Sequence, residues 1–162
     1  MGAIPGTVVI VVAALVAQAP ASPAPDFTLR TLAGDSVALS SFKGRPVFLN
    51  FWASWCDPCR GEMADIARAA AAHADQRLVV LAINLTDQEH LVDVRRFVAE
   101  VPMPFPVLLD SRGRVRKRYR LRGVPTSVFI DTLGVVQFVN PGPMSPEALQ
   151  RGLSLILPRG EP

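Results

Sequence analysis

Two cysteines, Cys56 and Cys59, are the only ones in the 162-residue chain, and they stand three apart in Cys56-Asp57-Pro58-Cys59. A bridge closing so short a loop removes little unfolded-state entropy, so it makes a poor staple and a good reagent for thiol-disulfide exchange. The spacing by itself also fits half a zinc site, an iron-sulfur segment or a redox pair. The surroundings narrow that choice. There is no second cysteine pair, no histidine follows Cys59 at a haem-attachment position, and His73 and His90 have no motif spacing relative to the cysteines. No metal and no cofactor are therefore expected.

The residues after the motif explain how such a pair would be tuned. From Asp57 through His73 the chain is rich in helix formers, notably Ala64, Ala67 and Ala69 to Ala72, with Met63 and Ile66 able to face a sheet. Cys56 then lies at the first turn, where unpaired N–H groups and the positive end of the helix dipole favour a thiolate. Cys59 shares its face, and Pro58 at an early helical position sacrifices no hydrogen bond. Cys56 is thus the expected nucleophile and Cys59 the resolving thiol.

Positioning this helix requires a sheet. Pro46 to Trp52 and Leu78 to Leu85 read as buried strands, and Leu91, Val94 and Val98 mark an amphipathic helix after the second. Strand, helix, strand, helix predicts a parallel βαβ unit. A further strand is expected at Phe105 to Leu109, then an antiparallel hairpin of Ser127–Ile130 and Val135–Val139, and a last helix opened by Ser145 and Pro146. Upstream, Phe27 to Arg30 and Val37 to Leu39 around Gly34-Asp35 predict a short N-terminal hairpin.

Residues 1–25 differ in kind. Ile4 to Ala17 is almost wholly apolar and is followed by Ala-Pro-rich sequence through Pro25. It is short for a full span of about 20 residues and suits a secretory signal or a membrane anchor plus linker, although no basic residue precedes Ile4. Residues 26–162 are expected to form one domain. The formal net charge is +3, and the basic residues are scattered except between Arg112 and Arg122. Two readings of that run stand, a phosphate-binding patch or a solvated helix face; with only Tyr119 as an aromatic and no nucleic-acid-reading motif it reads first as the solvated face, and nucleic acid is not an expected partner.

Asn50-Phe51-Trp52-Ala53-Ser54-Trp55-Cys56-Asp57-Pro58-Cys59, together with Gly123-Val124-Pro125-Thr126, resembles the thioredoxin superfamily. Pro25-Asp26-Phe27-Thr28-Leu29, Leu39 to Gly44 and Phe105 to Asp110 extend the resemblance to its TlpA/ResA-like branch. The resemblance implies an α/β thioredoxin fold, a central mixed sheet flanked by helices with an N-terminal β-hairpin extension. It implies a monomeric periplasmic or extracytoplasmic reductase, membrane-tethered, acting in cytochrome c maturation or on related protein disulfides and dithiols, and fed by an upstream membrane electron donor. By the same resemblance Pro125 is the cis-proline beside the cysteines, and Val124 and Thr126 meet an extended substrate segment. Trp55 shields the pair, and Trp52 is core packing. Asn50 stands where thioredoxin has a buried aspartate. Asp87 matches the place of an acid that in this branch lies near the cysteines. Two readings of it stand: proton acceptor from Cys59, or N-cap of a helix beginning at Gln88.

Three other functions are compatible with parts of the sequence. A peroxiredoxin shares the Phe27-Thr28-Leu29 opening and the Phe42-Lys43-Gly44 loop, but it needs Thr or Ser three residues before its cysteine, where Cys56 precedes Cys59. An exported copper-binding module could use both thiolates and a histidine. An inert adaptor of the same fold would have no use for both cysteines.

Overall fold

A computed structural model describes residues 22–158. The expected apolar segment Ile4 to Ala17 and the first half of its linker lie outside the described residues. The order is β1 (Thr28–Thr31), β2 (Ser36–Ala38), β3 (Val47–Trp52), α1 (Asp57–Ala72), β4 (Val79–Asn84), α2 (Leu91–Glu100), β5 (Val107–Leu109), α3 (Arg114–Arg118), β6 (Thr126–Ile130), β7 (Val136–Pro141) and α4 (Pro146–Ile156).

The strands form one mixed sheet in the order β2-β1-β5-β4-β3-β6-β7. β3, β4 and β5 run parallel, while β1, β6 and β7 pair antiparallel with their neighbours. Every residue of β3 and β4 is buried, as continuous apolar strands covered on both faces must be. Alternation sorts their side chains. Phe48, Trp52, Val80 and Ala82 join α1, α2 and α4 in one core, and Leu49, Phe51, Leu81 and Ile83 join Phe27, Leu39 and Val115 in the other. Edge strand β7 instead alternates half-buried with exposed residues.

Aromatic contacts tie the helices down. Phe48 stacks on Phe129 at 4.5 Å between ring centroids, and Trp52 meets Phe97 of α2 at the same separation. Gly152 lets α4 lie against Phe129, since a Cβ there would come within 2.5 Å of the ring. α4 begins as its sequence requires, with Ser145 Oγ accepting from Ala148 N and Pro146 in the first turn.

Three local expectations are corrected. β5 starts at Val107 rather than Phe105, because Pro104 and Pro106 can donate no ladder hydrogen bond. α2 begins at Leu91 with His90 at its N-cap position, so Asp87 caps no helix there and lies in a single 3-10 turn, Thr86–Gln88. Within the basic run only Arg114–Arg118 is helical, held by Asp110, whose two carboxylate oxygens accept from Arg114 N and Arg116 N at 2.9 Å each. The linker end also belongs to the folded unit: Val136 N donates to Ser22 O and Ala24 N to Gly134 O.

Candidate active site

β3 delivers the chain to the cysteines. After Trp52 the backbone turns, with Cys56 N donating to Ala53 O at 3.2 Å, and α1 starts at Asp57. Cys56 occupies the N-cap position, its Sγ accepting from Cys59 N at 3.2 Å. The donor is one of the N–H groups that a helix start leaves without an intrahelical partner, and it would stabilise a thiolate at that sulfur. The two cysteines are joined by a disulfide with Cα atoms 5.3 Å apart. Cys56 is 5 % exposed and Cys59 fully buried, so the first is the one a partner can approach.

The antiparallel register Phe51↔Thr126 carries Pro125 and Val124 past Trp52 toward the cysteine turn. The Val124–Pro125 bond is cis. Pro125 and Thr126 are buried, Thr126 Oγ1 donating to Gly123 O, while Val124 is half-buried and its backbone has no partner among the hydrogen bonds of the described residues. An extended segment could pair there. Trp55 is 57 % exposed beside the cysteines, whereas Trp52 is wholly buried.

One buried acid was not foreseen. Glu62 lies three residues beyond Cys59, one helical turn along the same face of α1, and it is 5 % exposed. Its Oε1 accepts from Asn50 Nδ2 at 2.8 Å and its Oε2 from Met144 N at 3.0 Å. Burial pushes its carboxyl above the ordinary range, an effect that the Asn50 hydrogen bond, and then that from Met144, partly offsets. Asn50 Nδ2 also donates to Ser127 Oγ, while Asn50 Oδ1 is buried without a partner among the described residues. The sequence signal was a glutamate on an otherwise apolar helix face, at the spacing that stacks it on Cys59.

A second acid, Glu89, clamps the active-site turn. Its carboxylate accepts from Ser54 N at 2.9 Å, from Ser54 Oγ, and from Asn84 Nδ2 at 2.7 Å. Asp87 is engaged elsewhere, in an ion pair with Arg116 Nε at 2.8 Å. Gly113 makes room for that pair, because a Cβ there would lie 2.3 Å from Asp87 Oδ2. No group of three or more His, Cys, Asp or Glu side chains is placed to hold a metal ion among the described residues.

Residues 20–139 match the AhpC/TSA family. The chain is 38% identical over 133 residues to a thioredoxin-like protein, YneN, of Bacillus subtilis, covering 82% of this chain and 77% of that one. It is 34% identical over 142 residues to the thiol-disulfide oxidoreductase ResA of Geobacillus kaustophilus, covering 88% and 80%. Among solved structures it superposes on the exposed lipoprotein thioredoxin of Streptococcus pneumoniae with a TM-score of 0.71 and 31% identity, over 80% of this chain and 98% of that one.

Proposed function

The chain belongs to the AhpC/TSA family and is a ResA-like thiol-disulfide oxidoreductase of thioredoxin fold, and from that premise we propose that it reduces protein disulfides outside the cytoplasm, with Cys56 as nucleophile, Cys59 as resolving thiol and Glu62 as proton acceptor. Ile4 to Ala17 would export or tether it, and cytochrome c maturation is the process that the resemblance suggests for its substrates. The Cys56 Sγ at the helix start, accepting an N–H, is the observation that carries this reading.

Cys56 thiolate attacks one sulfur of a partner disulfide, forming a mixed disulfide and expelling the partner's first thiolate. The partner backbone is held in extended form against Val124, beside Pro125 and Thr126, with Trp55 as an apolar contact. Cys59 then gives its proton to Glu62 and attacks Cys56 Sγ, releasing the partner's second thiolate, which takes up a proton from solvent. The protein is left with the Cys56–Cys59 disulfide. An upstream dithiol donor at the membrane restores the thiols by the reverse exchange. Burial suits Glu62 to this task, since a carboxyl held above its usual range is a stronger base than a solvated one.

Acid-quenched alkylation of the full chain in a bacterial host tests the direction. A reductant is found mainly as the dithiol and in the extracytoplasmic fraction; a steady state dominated by the disulfide assigns the protein as an oxidant instead. Hydrogen peroxide consumption distinguishes the peroxidase alternative, for which the expected turnover is nil.

A further inference from the structure

We infer that the arginine-lined cleft between β1, α2 and α3 binds the phosphate of an anionic phospholipid headgroup and so holds the catalytic domain against the membrane surface. The inference rests on the extracytoplasmic, tethered reading above. The cleft has a volume of about 690 Å³ and gathers Arg30 from β1, Arg95 from α2, Arg112, and Arg114 and Arg118 from α3. All five side chains belong to exposed residues.

Their charges are not answered locally. The ion pairs of the described residues use Arg60, Arg68, Arg96 and Arg116, none of the five. Arg30 and Arg118 each give one N–H to a backbone carbonyl, of Gly34 and Asp26, which aims the guanidinium without neutralising it. The one acid lining the cleft is Asp110, 1 % exposed, with both oxygens already accepting from backbone N–H groups. Asp93 on α2 is paired with Arg96. Five guanidinium groups around one cleft repel each other until an anion enters, and their planar forks suit phosphate oxygens. Leu29, Leu32 and Leu109 add an apolar lining that a free phosphate would not use and the first carbons of a lipid's acyl chains would.

Chain length brings the ligand within reach. The chain joins the folded unit at Ser22, five residues beyond Ala17, the end of the apolar segment, so the span between them is at most about 18 Å. A tethered domain therefore meets headgroups at high effective concentration, and a modest intrinsic affinity suffices. The N-terminal hairpin acquires a use as the cleft's outer wall.

The test is an NMR titration of the 15N-labelled full chain in nonionic detergent micelles with dihexanoylphosphatidylglycerol, dihexanoylphosphatidylcholine, and sodium phosphate. Saturable shifts centred on Arg30, Arg95, Ser111, Arg112 and Arg114 are expected with the glycerol lipid, at least tenfold weaker binding with inorganic phosphate, and none with the choline lipid. The triple variant Arg95→Gln/Arg112→Gln/Arg114→Gln should bind the glycerol lipid on the order of 100-fold more weakly, at about fivefold per arginine, with disulfide exchange unchanged. Equal response to both lipids, inorganic phosphate binding as tightly as the lipid, equally tight competition by a glutamate-rich peptide, or undiminished binding by the triple variant would each overturn the inference. The titration needs neither export nor redox activity, so its failure is separate from failure of the reading on which the inference rests.

Discussion

Asn50 of β3 donates from Nδ2 to Oε1 of Glu62 at 2.8 Å, inside the core and one helical turn from Cys59. The strand position that holds a buried aspartate in thioredoxin supplies here an amide, and the acid comes from the helix. The amide can serve both protonation states. It donates to the carboxylate, and on turning over it offers its Oδ1, unpartnered among the described residues, to a protonated Glu62.

Glu62→Gln should therefore fold, since the turned amide of Asn50 can accept from the new NH2 group. Resolution of the mixed disulfide is expected to slow by about 10- to 100-fold while attack by Cys56 changes little, because an amide cannot take the Cys59 proton and water replaces it only in part. Stopped-flow single turnovers with a model disulfide from pH 5 to 9 separate the two steps. A resolution rate equal to wild type across that range would remove Glu62 from the mechanism.

The same residue fixes the sign of one pH dependence. Burial raises its carboxyl above the ordinary value of 4.5, so as pH rises from there the unfolded chain loses the proton before the folded one does. Its contribution to stability is greatest below that value and declines as pH rises through the folded one. Glu62→Gln abolishes that decline, so its melting temperature relative to wild type should increase between pH 4 and pH 8. Parallel thermal melts check it; a constant difference would mean that the carboxyl titrates normally.

Asp87→Asn provides the contrast. The substitution weakens the ion pair with Arg116 and should cost about 1 kcal/mol or less, with the pH profile of resolution unaltered. Urea denaturation and the same single-turnover series measure both quantities. A slowed resolution step in Asp87→Asn would return the proton-acceptor role to that residue.

Much of this was legible in the sequence. The βαβ order, the terminal hairpin and the Ser145-Pro146 helix start are local patterns, and each element lies where its pattern put it. The partners of the acids were not legible, because they are remote in sequence. Glu62 is read through Asn50 and Met144, twelve and 82 positions away, and Asp87 through Arg116, 29 positions away. An N-cap at Asp87 was equally consistent with local propensity. The 3-10 turn and the Arg116 contact decided otherwise.

Gly152→Ala tests the packing that holds α4 on the sheet. A Cβ at Gly152 would lie 2.5 Å from Phe129, whose ring is stacked on Phe48 and cannot retreat freely. A loss of about 1 to 3 kcal/mol is expected despite the better helix propensity of alanine. Chemical denaturation measures it, and a gain in stability would show that the ring gives way.

The central assignment is tested most directly by trapping. Cys59→Ser and Cys56→Ser forms of the full chain, each reduced and mixed with a protein carrying one accessible disulfide, are quenched with acid and analysed by mass spectrometry. Cys59→Ser should accumulate a mixed disulfide through Cys56, and Cys56→Ser should accumulate little or none. A complex formed as readily through Cys59, or none formed by either variant, would contradict the account of Cys56 as the attacking thiol.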